Sequence, residues 1–289
     1  MARVVMSQRM GRAACGVLFF LVSFFALEVH ARQIQVLVTI PPQAFLVRAI
    51  SGNSVQVLSI VGKGGDPHSF EFRPSEVKAF CQVEAYFLCG LELERKVKEG
   101  ILGLNRAIRI FDSARNIPLR SYTPYEGRGI DPHFWLSPRL FKMQATNIFS
   151  DLCLLDPNRE REFAKNLSAL SKKLDQLDSR LKSSLANLKG RKLFVYHPAL
   201  GYFADAYGLI QVSFEAEGRE VSPRHMVEFI KMAQREKASF ILATQPKKAV
   251  SDIARALKVP VFFFDPLDER YVEALDGLAA LLRKGLQGG

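Results

Sequence analysis

Cysteine is scarce in this chain of 289 residues, which has only four, and no two of them form a CxxC pair. That spacing argues against a thiolate zinc site and gives no disulfide framework. Three of the cysteines follow the first 31 residues, and we expect these to be small buried side chains. A disulfide between Cys81 and Cys89 is the alternative for a protein in an oxidising compartment.

Runs of like charge are missing too. Lysine and arginine (40) outnumber aspartate and glutamate (29), giving a formal net charge of +11, but the charges are scattered and no five of one sign are consecutive. Aromatic residues do not alternate with basic ones as they do in RNA-binding segments. We therefore expect a basic, soluble surface and no nucleic-acid partner. The hydrophobic share of 48% excludes wholesale disorder.

Only the N-terminal segment is apolar for long enough to suggest a membrane or an export role. Ala13–Leu27 carries no charge and follows three arginines, and Val29 and Ala31 have the modest side chains of a cleavage site. The pattern predicts a secretory signal peptide over residues 1–31. The apolar run is short of the ~20 residues that a bilayer span needs. An uncleaved leader that tethers the protein to the membrane is the alternative. Without the leader the net charge is +9.

A long amphipathic pattern occupies the middle of the remaining chain. Asp156 and Pro157 form a helix start signal, leucines recur at intervals of three and four, and Gly190 ends the pattern. This predicts one helix of about 33 residues, roughly 50 Å long. A coiled coil is the alternative, but its central position favours a spine between two lobes. The predicted divisions are a signal peptide 1–31, an N-terminal lobe 32–155, a linking helix 156–190 and a C-terminal lobe 191–289.

Both flanks of this helix alternate short apolar runs with helical patterns. The alternation is typical of parallel sheets in an α/β fold. The runs that predict strands are Gln35–Ile40, Val55–Val61, Ala85–Cys89, Ile108–Phe111, Lys192–Tyr196, Gln211–Phe214, Ser239–Leu242 and Val259–Phe264. Helical patterns with Ser/Pro start signals include Pro74–Phe80 and Pro223–Glu236.

Three histidines lie beside prolines, each at or just beyond the end of an apolar segment: His68, His133 and His197. Asp265 has the same kind of position, between an apolar run and a proline. Ligands of open α/β sheets bind outside the carboxyl ends of the strands, so two facing lobes would bring these side chains together. Three imidazoles and one carboxylate suit a tetrahedral divalent metal, zinc above all. Ordinary hydrogen-bonded histidines are the alternative, and spacing alone leaves both open. We expect His225 at the surface.

Several segments resemble motifs of the metal-binding solute receptors of ABC transporters, the cluster A-I family of zinc and manganese uptake. Asp131–Pro138, with the sequence DPHFWLSP, is the most specific match. The order, the spacing and the central helix extend the resemblance over nearly all of residues 34–289. The other matching segments are Asp66–Val77, Ala85–Glu94, Tyr196–Gly208 and Phe264–Leu267.

This resemblance implies two (β/α) lobes with parallel sheets, joined by one long rigid helix, with a metal ion buried between them. It implies that the metal ligands are His68, His133, His197 and Asp265. It further implies a periplasmic solute-binding protein, which we expect to be a monomer, that delivers its metal to the membrane permease of an ABC transporter. Trp135 and Ser137 are expected to orient the His133 loop, and Asp66 and Asp131 to act as hydrogen-bond acceptors behind the ligands or to cap turns.

The expected cargo is Zn²⁺. His197 stands where manganese receptors of the family often have glutamate, which favours zinc, with Mn²⁺ or iron as the alternative. Many zinc-specific members carry a His-rich loop ahead of the second motif, whereas residues 113–130 contain no histidine.

We expect no enzymatic activity. Four protein ligands leave no open position on the metal for an activated water, and catalytic zinc sites usually keep one. Two alternatives come from other classes. The first is an exported zinc-dependent hydrolase in which Asp265 is a base, and the second is an adhesin that needs no metal.

Overall fold

The computed structural model describes residues 33–287 apart from residues 63, 66, 68–73, 124, 125, 127, 128 and 216–222. The predicted signal peptide, residues 1–31, and the candidate ligand His68 lie outside the described residues. Within the described part of the chain, no helix is long and apolar enough to cross a membrane.

The first half of the described chain is built around a parallel sheet of four strands in the order β2-β1-β3-β4. Val36 of β1 lies opposite Val57 of β2 and Ala85 of β3. The strands are β1 Ile34–Val38, β2 Val55–Ser59, β3 Ala85–Leu88 and β4 Arg109–Asp112. The helices are α1 Pro41–Ser51, α2 Pro74–Phe80, α3 Leu93–Leu104 and α4 Pro138–Leu155. A short antiparallel ribbon of β5 Arg120–Ser121 and β6 Ile130–Asp131 precedes α4.

The second half repeats this layout with a parallel sheet in the order β10-β9-β7-β8. Phe194 of β7 lies opposite Val212 of β8. The strands are β7 Lys192–Val195, β8 Ile210–Ser213, β9 Ile241–Ala243 and β10 Val261–Phe263. The helices are α6 Gly201–Tyr207, α7 Pro223–Arg235, α8 Lys248–Leu257 and α9 Tyr271–Gln287.

The α/β fold class predicted from the sequence is confirmed. Each of the eight apolar runs overlaps one strand of the two sheets. The central strands are mostly apolar because helices cover the sheets and bury both of their faces, whereas the edge strands β2, β4 and β10 are partly exposed. The ribbon β5–β6 was not predicted, since strands of two residues are too short to leave an apolar pattern.

The long central helix, α5, is α-helical over Glu160–Ser184, 25 residues. It is shorter than the predicted 33 residues because 3-10 turns at Pro157–Arg159 and Ala186–Leu188 flank it. Its buried face packs against α1 and α4 of the first half and against α9 of the second. The helix therefore joins two α/β lobes. The lobe boundaries 32–155, 156–190 and 191–289 stay predictions.

One buried apolar cluster extends through both lobes. It includes Val36 of β1, Trp135, Leu177 of α5 and Leu282 of α9. A second cluster lies between the second sheet and helices α7 and α8. The cysteines that follow the predicted leader, at positions 81, 89 and 153, are free. Cys89 is fully buried, as expected, and burial raises the pKa of its thiol. Cys81 and Cys153 are only half-buried, so the expectation of buried side chains is wrong for these two.

Candidate metal site

A cavity of about 250 Å³ is lined by residues of both lobes. The second lobe contributes residues that follow its strands directly or closely, as expected for a ligand site of an α/β sheet. The first lobe contributes Gly65, Pro67, Leu91, His133 and Trp135, and the second contributes His197, Glu215, Lys247 and Asp265, among others. Pro67 immediately precedes His68 in the sequence.

Two of the predicted ligands meet in this cavity. The Nε2 atoms of His133 and His197 are 3.3 Å apart, and the two rings stand nearly edge to face at 81°. Both side chains are well covered, with exposed fractions of 6% and 9%. The structure therefore brings together two imidazoles that are 64 residues apart in the sequence.

Asp131 contacts the ring nitrogen of His133 that does not face His197, the Nδ1 atom. The Oδ1 atom of Asp131 lies 2.9 Å from His133 Nδ1 and accepts the backbone N–H of His133 at 2.9 Å. Asp131 is completely buried, and its Oδ2 accepts a hydrogen bond from Arg120 at 2.8 Å. The expectation that Asp131 serves as an acceptor behind His133 is thus met by its contacts. His133 follows β6 of the ribbon and not a strand of the main sheet.

His197 has the same arrangement with a different carboxylate. Its Nδ1 lies 2.6 Å from Oε1 of Glu215, the second residue after the end of β8. The other oxygen of Glu215 lies 3.5 Å from the ammonium group of Lys247. Each histidine is therefore paired with a carboxylate that is itself paired with a cation.

These pairs fix the tautomers of the two imidazoles. A carboxylate oxygen can only accept, so Nδ1 is the protonated nitrogen of each neutral ring. The unprotonated Nε2 atoms of His133 and His197 then direct their lone pairs toward one another. A cation between two such lone pairs is the chemistry that this arrangement suits.

Asp265 lines the same cavity from the second lobe. One of its oxygens, Oδ1, accepts the backbone N–H of Leu267 at 2.8 Å, which fixes the carboxylate in a tight turn. Among the described residues, no group of three or more His, Cys, Asp or Glu side chains is arranged to hold a metal ion. The structure thus brings His133 and His197 into contact and places Asp265 on the wall of their cavity.

Trp135, Ser137 and His225 are the other residues whose roles or positions were predicted from the sequence. Trp135 donates its indole N–H to the carbonyl oxygen of Pro266 at 2.9 Å, which ties the His133 segment to the segment of Asp265. Ser137 stands at the N-cap of α4 but makes no capping side-chain bond. His225 is exposed on α7, as expected, with its ring 6.1 Å from that of Phe214.

Sequence reasoning missed three functional side chains: Glu215, Lys247 and Arg120. Glu215 follows a strand of the second sheet, so the rule that located Asp265 could also have found it. Arg120 and Lys247 lie in positions that no motif marks, because their roles depend on carboxylates distant in sequence.

Two α/β lobes that share a long helix and enclose a histidine-lined cavity define a two-lobe solute receptor. The family model for ZnuA, zinc-uptake complex component A, periplasmic, matches residues 36–286. The chain belongs to this family, the metal-binding solute receptors of ABC transporters. The family takes part in metal uptake, which is a binding and transport role and not a catalytic one.

Individual relatives agree with this assignment. A protein of Chlamydia trachomatis that is named for metal binding is 32% identical over 247 residues, 84% of this chain and 87% of that protein. The zinc-binding protein TroA of Treponema pallidum is 29% identical over 231 residues, 77% of this chain and 74% of that protein. The crystal structure of ZnuA matches with a TM-score of 0.81 and 32% identity, covering 87% of this chain and 98% of that chain.

Proposed function

We propose that this protein captures a Zn²⁺ ion between its two lobes and delivers it to the membrane permease of an ABC transporter. The observation that carries the proposal is the pair of Nε2 atoms, on His133 and His197, at 3.3 Å from each other. Zinc binds imidazole nitrogen at about 2.0–2.1 Å, and tetrahedral geometry then separates two such nitrogens by about 3.3–3.4 Å. The pair already has the spacing that zinc requires.

The surroundings of both histidines support this role. Ligand histidines in metal sites usually donate their second ring N–H to a carboxylate or carbonyl, which fixes the ring and increases its basicity. His133 does so to Asp131 and His197 to Glu215. An ordinary hydrogen-bonded histidine would account for one such carboxylate contact, but not for two imidazoles whose Nε2 atoms lie 3.3 Å apart. The arrangement therefore favours metal binding over the alternative left open by the sequence.

We assign Asp265 and His68 as the remaining ligands. Asp265 lines the cavity with one carboxylate oxygen tied to the backbone, and Pro67 lines it beside the position of His68 in the sequence. Four protein ligands would close the coordination sphere and leave no site for an activated water. The proposal is therefore binding and transport without catalysis.

Zinc is proposed over manganese because of the donor set. Nitrogen ligands suit zinc, whereas manganese prefers sites rich in carboxylate and water oxygens. Three histidines and one aspartate are a nitrogen-rich set. Some relatives are named for manganese, such as the manganese-binding lipoprotein MntA of Bacillus subtilis. Manganese is thus the competing cargo that an experiment must include.

The place of action follows from the family and the leader. The family is described as periplasmic, and the signal peptide proposed for residues 1–31 would export the chain. We propose that the mature protein works in the periplasm as a monomer, with a divalent metal ion and a permease as its partners.

The decisive experiment measures metal affinity by competition against a chelator. Wild-type protein should bind one zinc ion and hold it in an excess of manganese. His133→Ala should lower zinc affinity at least 100-fold, whereas His225→Ala, which removes an exposed histidine outside the cavity, should not change it. Unchanged zinc affinity in His133→Ala would overturn the assignment.

A second experiment separates the receptor from the hydrolase. In the cobalt-substituted protein, the visible spectrum should report four protein ligands on the metal. A bound water in place of one ligand would instead favour the hydrolase.

A further inference from the structure

Arg120 lies at the centre of a buried ionic cluster beside the cavity. Its side chain is 13% exposed, and its guanidinium group contacts the carboxylates of Glu126, Asp131 and Asp205 at 2.8–3.3 Å. Glu126 and Asp131 are almost completely buried, whereas Asp205 is exposed. Arg120 is therefore the shared positive partner of two buried carboxylates, Glu126 and Asp131.

Asp131 connects this ionic cluster to His133, a proposed metal ligand. Asp131 receives Arg120 on Oδ2 and His133 on Oδ1. Because both oxygens of one rigid carboxylate are occupied, the guanidinium sets the plane in which Asp131 meets the imidazole. The orientation of the His133 ring thus depends on the position of Arg120, which does not touch the ring itself.

The same arginine also crosses to the second lobe. Its Nε donates to Asp205 of α6 at 2.9 Å, and its backbone N–H donates to the hydroxyl of Tyr202, also in α6, at 2.9 Å. The Tyr202 hydroxyl in turn donates to the carbonyl of Asp131 at 3.1 Å. Helix α6 begins four residues after His197. Arg120 therefore links the segments that carry the two contacting histidines.

The start of α6 is shaped to admit this side chain. A Cβ atom at Gly201 would lie 1.8 Å from Nη1 of Arg120 and 2.4 Å from Oδ2 of Asp131. Any side chain there would displace the ion pair, so the glycine is required by the close approach. This is an observation about packing that is independent of the hydrogen bonds.

In the described part of the chain, Glu215, the carboxylate that contacts His197, is paired with a lysine and not with an arginine. Glu215 meets Lys247 at 3.5 Å through a single ammonium group, and the Lys247 side chain is 41% exposed. Arg120 offers a planar fork with several donors, which fixes geometry more firmly than a lysine does. Burial opposes the charge of Arg120, but the hydrogen bonds that it donates to Asp131 and Glu126 outweigh this effect and raise its pKa above the ordinary value. The clamp on Asp131 is therefore permanently charged.

We propose that Arg120 is a positioning residue for the metal site, which fixes the ring of His133 through Asp131 and sets its spacing from His197 through α6. The inference rests on the proposed function, because it assigns Arg120 a role in metal binding. A purely structural role for Arg120 would affect folding stability alone.

The test compares four variants by zinc affinity, by the visible spectrum of bound Co²⁺ and by melting temperature. Arg120→Met should lower zinc affinity 10–100-fold, as loss of outer contacts to ligands typically does, and should change the cobalt spectrum. Arg120→Lys keeps the charge and should recover part of the affinity. Gly201→Ala keeps the arginine in the sequence but displaces its guanidinium group, so it should reproduce the defect. Arg180→Met removes an exposed pair with Asp276 and should change neither metal property.

A wild-type zinc affinity and cobalt spectrum in Arg120→Met would overturn the inference, even if its melting temperature fell. If Arg120→Met does not fold, Gly201→Ala is measured in its place. A wild-type zinc affinity and cobalt spectrum in Gly201→Ala would also overturn the inference. Failure of the wild-type protein to bind zinc would reject the proposed function instead. The two failures are thus distinguished by the wild-type measurement.

Discussion

Trp135 donates its indole N–H to the backbone carbonyl of Pro266 at 2.9 Å, so a residue two positions after His133 is bonded to the residue after Asp265. A second hydrogen bond joins Trp135 to the second lobe, because the hydroxyl of Tyr271 donates to the backbone carbonyl of Trp135 at 2.6 Å. Both side chains are almost completely buried. Two proposed ligand segments from different lobes are therefore fastened together by the protein alone.

Tyr271→Phe is expected to weaken zinc binding several-fold. The variant keeps the ring but removes the bond to Trp135, so the His133 segment loses one of its hydrogen bonds to the second lobe. Loss of a buried hydrogen bond should also cost about 1–2 kcal/mol of unfolding free energy. Chelator competition and denaturant unfolding measure the two effects.

Tyr207→Phe is the matched control for this prediction. It removes a buried hydroxyl that donates to Asp178 at 2.8 Å, in a contact between α6 and α5 that does not line the cavity. Stability should fall by a similar amount while zinc affinity stays unchanged. If both variants lost zinc affinity equally, the tie to Trp135 would have no specific part in metal binding.

Glu215→Gln is expected to lower zinc affinity about 10–100-fold. The amide oxygen can still accept from His197, but the loss of negative charge reduces the basicity of the imidazole. Glu228→Gln, which neutralises an exposed carboxylate on α7, should leave affinity unchanged. Equal affinities of wild type and Glu215→Gln would show that the carboxylate only orients the ring.

The sequence was sufficient for the sheets because local patterns encode them. A strand covered on both faces needs a largely apolar sequence, as the central strands β1 and β3 have. The partly exposed edge strands β2 and β4 keep enough apolar residues to be recognised. His197 was found by the same reasoning, since it lies just past a main-sheet strand and beside a proline. His133 follows the two-residue strand β6, so only the neighbouring proline in its Asp-Pro-His sequence marked it. The meeting of their Nε2 atoms depends on how two lobes pack.

Arg120 shows why the rest of the site was not predicted. Its partner Asp205 is 85 residues away in the sequence, and its own strand is only two residues long. An ion pair of this kind leaves no periodic signal. The C-terminal end of α5 was misjudged for a different reason, because the apolar spacing continues past Ser184 and buries Leu185 and Leu188 as an α-helix would. At the N-terminal end, the start signal Asp156–Pro157 opens a 3-10 turn instead of the α-helix.

Leu177→Ala in α5 is expected to reduce the unfolding free energy by about 2–5 kcal/mol. The side chain is fully buried in the cluster shared by both lobes, so its removal leaves a cavity in the core. Leu154→Ala, at a position that is 59% exposed, should cost less than about 1 kcal/mol. Denaturant unfolding compares the pair, and similar losses would mean that α5 does not act as a shared core element.

Glu94→Gln tests a buried carboxyl whose pKa is raised by burial, despite hydrogen bonds from Thr39 and from the backbone of Cys89 and Gly90. A raised folded pKa means that the folded state holds the proton more tightly than the unfolded one, where the value is about 4.3. The stabilisation is fully present below the unfolded pKa and is lost as pH rises through the folded pKa. The difference in unfolding free energy, wild type minus variant, should therefore fall with rising pH across that window and then level off. Denaturant unfolding at a series of pH values measures this difference, and a difference that rises with pH would show that hydrogen bonding to the carboxylate outweighs its burial.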